Sequence, residues 1–240
     1  MTPALSVREL TVDYRDFTLG PLSFTLGAGE RLALVGTNGA GKSTTLRALA
    51  GRTPNYAGSI AITGREVRDA LPTIRADIGL LDESVTAYPW MSVAEHLRFV
   101  GAFYPRWDAA RADRLLSRLG VSPRATMGTL SRGTRIKVGF IAATSHHAPL
   151  LLLDEPTAGL DPGARRELLE AVRGHTDEAA AASVIFSTHI LEDVELLADR
   201  VLVILQGKLI MDSPIAALRS GTSLTVVPAL VELLRVPDAT

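Results

Sequence analysis

The chain has 240 residues, 25 basic against 26 acidic side chains, 47% hydrophobic residues and no cysteine. That length suits one large domain or a domain with a lobe, and a formal charge of −1 excludes binding to nucleic acid mainly through bulk positive charge. The lack of cysteine excludes disulfides, thiolate metal sites, cysteine nucleophiles and iron–sulfur ligation, while no apolar run approaches the ~18 residues of a membrane span and no signal peptide is evident, so a soluble, intracellular chain is expected.

In chain order, Leu5, Val7, Leu10 and Val12 predict a first strand, and Leu22, Phe24 and Leu26 alternate in a second. Gly27-Ala28-Gly29 turns the chain into a buried run from Leu32 to Val35. Lys42 to Ala50 predicts a helix stopped by Gly51. Ser59–Ile62 and Ile78–Leu81 are short strand candidates. Helical patterns then dominate residues 84–147. Ser92 with Glu95 forms a capping box ahead of Val93, Leu97, Val100 and Tyr104, and Asp108 opens a second helix ended by Gly120. After Pro149, strand and helix patterns alternate: Leu150–Leu153, a helix after Pro162, Val184–Phe186, a helix from Ile190, then Val201–Leu205. That alternation favours parallel βαβ units. The fold class expected is α/β, with a β-rich front and a helical insertion.

Gly36-Thr37-Asn38-Gly39-Ala40-Gly41-Lys42-Ser43 matches G-x-x-x-x-G-K-[ST] between a hydrophobic strand and a helix. Phosphate is multiply charged and needs many short-range donors. Gly36, Gly39 and Gly41 let the backbone curl so that its N–H groups point inward, and the helix N-terminus adds a favourable field. Lys42 is expected to reach the β- and γ-phosphates and Ser43 to coordinate Mg²⁺. Asn38, Ala40 and Thr44 complete the nucleotide-binding set.

Leu150–Leu153 runs directly into Asp154 and Glu155. A strand buried on both faces would deliver these acids to the carboxyl end of a parallel sheet, where ligands bind in this architecture. Asp154 is then placed to hold Mg²⁺, and Glu155 to polarise an attacking water. Taken alone, the two acids have the lesser alternative of merely capping the turn at Pro156-Thr157. The two asparagines, Asn38 and Asn55, begin no N-K-x-D guanine-recognition sequence, which argues against GTP. Adenine could instead stack on an aromatic ring. Tyr14 is the first candidate and Phe17 the second, with Tyr14 as a plain strand-edge residue the alternative.

With these residues in view, the chain resembles the nucleotide-binding subunit of an ATP-binding cassette (ABC) transporter over about residues 4–219. Beside the phosphate loop and the carboxylate strand stand Leu130-Ser131-Arg132-Gly133-Thr134, similar to the family signature, then Ala158-Gly159-Leu160-Asp161, and Ser187-Thr188-His189 with the switch histidine. The resemblance implies a P-loop NTPase core with an N-terminal antiparallel β subdomain and an inserted α-helical subdomain, in an ABC ATPase domain over residues 1–220 followed by a tail at 221–240. It implies two such domains, identical or related, paired head to tail around two ATP molecules, each held by the phosphate loop of one domain and by Ser131 and Gly133 of the other. His189 would contact the γ-phosphate, and Asp161 would link the two sites.

Two positions depart from the family pattern. Glu83 stands where glutamine usually contacts Mg²⁺ or water, which adds a negative charge near the phosphates, and the signature carries Arg132 and Thr134. Both departures resemble the bacterial branch that serves exporter-type (ABC-2-like) permeases. The expected function is therefore a Mg²⁺-dependent ATPase that powers a separate membrane permease for export. It would lie in the cytoplasm, peripheral on the inner face of the membrane, with no nucleic-acid partner. A soluble ABC ATPase of assembly, repair or translation is the alternative. Tyr56, His146, His147 and His175 read as surface or helix-packing residues. Tyr88, Trp90 and Met91 read equally as core or as a contact for a membrane partner.

Overall fold

The computed structural model describes residues 2–69, 71–178, 182–221 and 230–231. Ten strands and eight α-helices follow one another among these residues. The first strands, β1 (Leu5–Tyr14) and β2 (Phe17–Leu26), form a hairpin longer than its apolar alternation suggests. With β4 (Ala57–Ile62) and β5 (Arg65–Glu66) they make a four-stranded antiparallel sheet in the order β2-β1-β4-β5. A second sheet joins β3 (Arg31–Val35), β6 (Ile78–Leu81), β7 (Leu150–Leu153), β8 (Ser183–Thr188), β9 (Arg200–Leu205) and β10 (Lys208–Pro214). Its order is β10-β9-β3-β8-β7-β6. All its pairings are parallel except β9–β10.

The larger sheet divides the core by the two-residue period of its strands. Leu151 and Leu153, Val184 and Phe186, and Val201 and Val203 face one apolar cluster. Leu150 and Leu152, Ile185, and Leu202 and Ile204 face the other. All four residues of β7 are buried to 0% exposure, which explains an uninterrupted run of leucines where a half-buried strand would alternate. The second cluster also takes the inward side chains of the antiparallel sheet and of helix α1 (Lys42–Leu49). At the end of α1, Gly51 has φ +64 and donates to the Ala48 carbonyl, the expected helix stop.

After α2 (Leu71–Ile74) and β6, the chain forms α3 (Val93–Gly101), α4 (Ala109–Arg118) and α5 (Arg132–Thr144) before returning to β7. Ser92 caps α3 as its sequence requires: the Glu95 N–H donates to Ser92 Oγ at 3.2 Å, and the Ser92 N–H donates to Glu95 Oε2 at 2.8 Å. Helix α3 ends at Gly101, earlier than its apolar pattern suggests, and Trp107 packs against that glycine at a distance no Cβ would permit. Helices α6 (Pro162–Glu178) and α7 (Leu191–Leu197) flank β8, and α8 (Ile215–Gly221) follows β10. The tail read at 221–240 lies outside the described residues except for Gly221, Leu230 and Val231; Leu230 is buried in the first cluster.

His146 and His175 sit in packing positions, while His147 is exposed beside Asp108. His146 stacks on Tyr104 with ring centroids 3.9 Å apart and bonds to the Ile78 carbonyl at 3.1 Å. His175 Nδ1 meets Arg111 Nη2 at 2.8 Å in a buried contact between α6 and α4. Burial, then the Arg111 charge, holds the His175 pKa down at about 4, so the imidazole is neutral and its Nδ1 accepts. Tyr56 lies under the Arg68 guanidinium, 4.5 Å from the ring centre.

Candidate functional site

The parallel strands bring the predicted residues together because each leaves the sheet at the same edge. Val35 pairs with Thr188, Phe186 with Leu153 and Leu153 with Leu81. Past those carboxyl ends come the phosphate loop, His189, the Asp154–Glu155 pair and Glu83, in that spatial order. This edge is where parallel α/β sheets place ligands, since helix N-termini converge there.

The loop between β3 and α1 requires its glycines for steric reasons. A Cβ on Gly36 would lie 2.3 Å from the Ile204 carbonyl oxygen. Gly41 has φ +110, and a Cβ there would meet Leu19 Cδ1 at 2.6 Å. Lys42 is folded back into this loop and is only 6% exposed. Its Nζ donates to the Gly36 carbonyl at 2.9 Å and the Thr37 carbonyl at 3.2 Å, and pairs with Glu155 Oε1 at 3.2 Å.

Asp154 gathers two hydroxyls on one oxygen: Ser43 Oγ donates to Oδ1 at 3.0 Å, and Ser187 Oγ at 2.7 Å. Glu155 takes the left-handed backbone region, φ +48, which is costly for a residue with a Cβ. Its N–H donates to Ser187 Oγ at 2.8 Å. Its second carboxylate oxygen lies 2.8 Å from His189 Nδ1. The Glu155 carboxylate thus stands between the Lys42 amine and the His189 imidazole. Ser187, read in the sequence only as part of the histidine motif, is the hydroxyl that ties Asp154 to the Glu155 backbone.

These groups open onto a cleft of about 480 Å³. Asn38, Gly39, Gly41, Lys42, Ser43, Thr44, Glu83, Glu155 and His189 line it, together with Phe17 and Ala158. Of the two aromatic candidates, Phe17 is the one in the wall. Tyr14 faces it across the hairpin end and is 50% exposed, away from the lining. Sequence could not separate the two, because they lie three residues apart on either side of one tight turn. Ser131, Gly133 and Asp161 are not among the lining residues. Ser131 caps α5, accepting from the Thr134 N–H at 3.2 Å. Gly133 packs toward Leu160 and Ala164, while the Arg132 guanidinium lies over Gly159. Asp161 caps α6, and the Ala164 and Gly163 N–H groups hold its carboxyl below the usual carboxylate range.

The donor set fits a magnesium nucleotide. Curled backbone and one buried cation suit the phosphates, and a hydroxyl beside a carboxylate is the hard oxygen pair that Mg²⁺ takes in phosphate sites. No group of three or more acidic or histidine side chains among the described residues would hold a metal alone.

Comparison with known proteins agrees with this geometry. The ABC transporter family profile matches residues 19–158. The linearmycin resistance ATP-binding protein LnrL of Bacillus subtilis is 34% identical over 194 residues, which cover 79% of this chain and 62% of that protein. The thiamine import ATP-binding protein ThiQ of Jannaschia is 34% identical over 88% of this chain and 93% of its own. The solved structure of an ATP-binding subunit of an ABC transporter superposes with a TM-score of 0.85 at 29% identity, covering 96% of this chain and 99% of that one. This chain therefore spans less than two thirds of LnrL and nearly all of ThiQ. The chain belongs to the ABC transporter family and is similar to its ATP-binding subunits.

Proposed function

We propose that this chain is the motor of an export system. It hydrolyses ATP with Glu155 as general base, works as a head-to-tail dimer and drives a separate membrane permease from the cytoplasmic face. The observation that carries this reading is the Glu155 carboxylate held between Lys42 at 3.2 Å and His189 at 2.8 Å. A γ-phosphate engaged by Lys42 lies beside the carboxylate that must take the proton of the attacking water. In the step, the water oxygen forms a bond to phosphorus as Glu155 accepts its proton. The bond from phosphorus to the bridging oxygen breaks, and the electron pair leaves with ADP. His189 orients the carboxylate through Oε2. Ser43, Asp154 and Glu83 would hold Mg²⁺, which neutralises charge on the phosphates when bound.

The second copy is inferred from where the signature sits. Ser131 and Gly133 stand at the exposed start of α5 and outside the cleft of their own chain, so a facing copy could present them to that cleft. The helical segment at 84–147, which we take as the inserted lobe, carries a surface suited to a permease. Tyr88, Trp90, Phe99 and Phe103 are exposed and their rings form a row with centroids 5.0–5.8 Å apart. A contiguous exposed aromatic surface is a common mark of a protein partner. No helix among the described residues is long and apolar enough to cross a membrane. The direction of transport rests on Glu83 and Arg132, the departures shared with the exporter-type branch.

The test is Glu155→Gln, assayed by phosphate release and by size-exclusion chromatography with ATP. The expected result is retained ATP binding, turnover reduced at least about 100-fold, and a nucleotide-dependent dimer. Wild-type turnover would place the general base elsewhere.

A further inference from the structure

The geometry points to Asp193 as a positioning residue for hydrolysis, one that fixes the Glu155 loop against the helix following His189; this rests on reading Glu155 as the general base. Asp193 lies in α7, four residues after His189, and is 1% exposed. Its Oδ2 accepts from Thr157 Oγ1, and its Oδ1 accepts from Arg165 Nε at 2.7 Å. Thr157, two residues beyond Glu155, is itself 2% exposed. A carboxylate this buried is tolerated only with its oxygens partnered. Its two partners come from different elements, α6 and the loop after β7.

Packing α7 onto α6 does not need the Thr157 bond. Leu168, Leu169 and Val172 of α6 and Val194 and Leu197 of α7 are buried in one apolar cluster, and the Arg165–Asp193 pair crosses the same junction. The Thr157 hydroxyl reaches past that junction to the catalytic loop. Glu155 occupies the left-handed backbone region, and such a conformation persists only where its surroundings hold it. Ser187 holds the Glu155 N–H, and the Ala158 N–H closes the turn on the Glu155 carbonyl at 3.2 Å. Thr157 stands inside that turn, so Asp193 anchors its far side. The same α7 begins just past His189. Asp193 therefore sets the spacing of the two chain segments whose side chains meet at Glu155 Oε2 and His189 Nδ1.

The experiment uses the full chain and measures kcat, the Kd of a fluorescent ATP analogue and the melting temperature on the same samples. Thr157→Val removes the hydroxyl at nearly constant shape and leaves the Arg165–Asp193 pair. The expected result is a kcat at least about tenfold lower, with Kd within about twofold and a melting temperature still above that of the assay. Thr157→Ser, which restores the hydroxyl, is expected to recover most of the kcat. Asp193→Asn should reproduce the loss, and Thr157→Val should add little to it; if Asp193→Asn fails to fold, the Thr157 pair decides alone. A Thr157→Val kcat within twofold of wild type overturns the proposal. So does a parallel loss of kcat, nucleotide affinity and melting temperature that Thr157→Ser does not relieve. Glu155→Gln is run alongside: if it turns over normally, both readings fall, whereas an inactive Glu155→Gln beside a normal Thr157→Val removes only the role of Asp193.

Discussion

Replacing Ser187 by alanine tests whether one hydroxyl holds both Asp154 and Glu155 in place. Ser187 is 0% exposed, and its Oγ donates to Asp154 Oδ1 at 2.7 Å while accepting the Glu155 N–H at 2.8 Å. Alanine removes both bonds without changing the fold of β8. A hydrogen bond to a charged group contributes about 1.5–3 kcal/mol and a neutral one about 0.5–1.5 kcal/mol. Asp154 keeps the Ser43 hydroxyl at 3.0 Å, so its remaining charge is not stranded. The two losses together come to about 2–4.5 kcal/mol, and at about 2–4 °C per kcal/mol for a chain of this size the melting temperature falls by roughly 4–18 °C. The effect on turnover is separate. With its N–H released, Glu155 loses one restraint on a costly backbone conformation, and turnover is expected to fall at least about tenfold. Differential scanning calorimetry without nucleotide and a phosphate-release assay at 25 °C read the two effects. A melting temperature within about 2 °C of wild type, with unchanged turnover, would refute the reasoning.

Glu83→Gln removes a negative charge from the cleft wall; it is expected to tighten metal-free ATP binding about fivefold, by roughly 1 kcal/mol, and to raise the Mg²⁺ concentration for half-maximal turnover. No change in either titration would remove Glu83 from the metal. Acid should destabilise the fold through its buried histidines. Burial, then the Arg111 charge, keeps His175 neutral down to about 4, whereas in the unfolded chain it protonates near 6.5. The unfolded state thus binds the extra proton, and stability present above 6.5 is lost at about 1.4 kcal/mol per pH unit as the pH falls toward 4. Burial lowers His146 and His96 in the same direction. Urea midpoints at pH 7 and pH 5 check this, with His175→Gln, which keeps an acceptor for Arg111, expected to flatten the slope. Trp90 and Phe103, 72% and 69% exposed, are expected to be permease contacts. Changing both to serine should leave the turnover of the isolated chain within about twofold and weaken co-purification of the permease about 100-fold, and unchanged co-purification would place the docking surface elsewhere.

Much of the site was legible before any fold was known, because phosphate chemistry constrains sequence locally. A loop that must curl around phosphate needs Gly36 and Gly41 where a Cβ would strike Ile204 or Leu19. A doubly buried strand needs the unbroken leucines that end at Asp154, and a cap such as Ser92–Glu95 is written within four residues. These features are written as short local patterns, so the amino-acid order was enough to find them, even where the contact that demands the glycine comes from a distant segment. Less could be read where contacts join distant segments. The hairpin partner that lines the cleft, Phe17 instead of Tyr14, depends on how the antiparallel sheet leans on the phosphate loop. The role of Ser187 exists only because β8 lies beside β7 in register, 33 residues from Asp154. The buried bracket of Thr157, Arg165 and Asp193 likewise spans a loop and two helices. Sequence by itself supplied the chemical groups and the strand ends that carry them. Their registry was decided by tertiary structure, since hydrogen bonds act over about 3 Å and only the packed sheet brings those groups within that range.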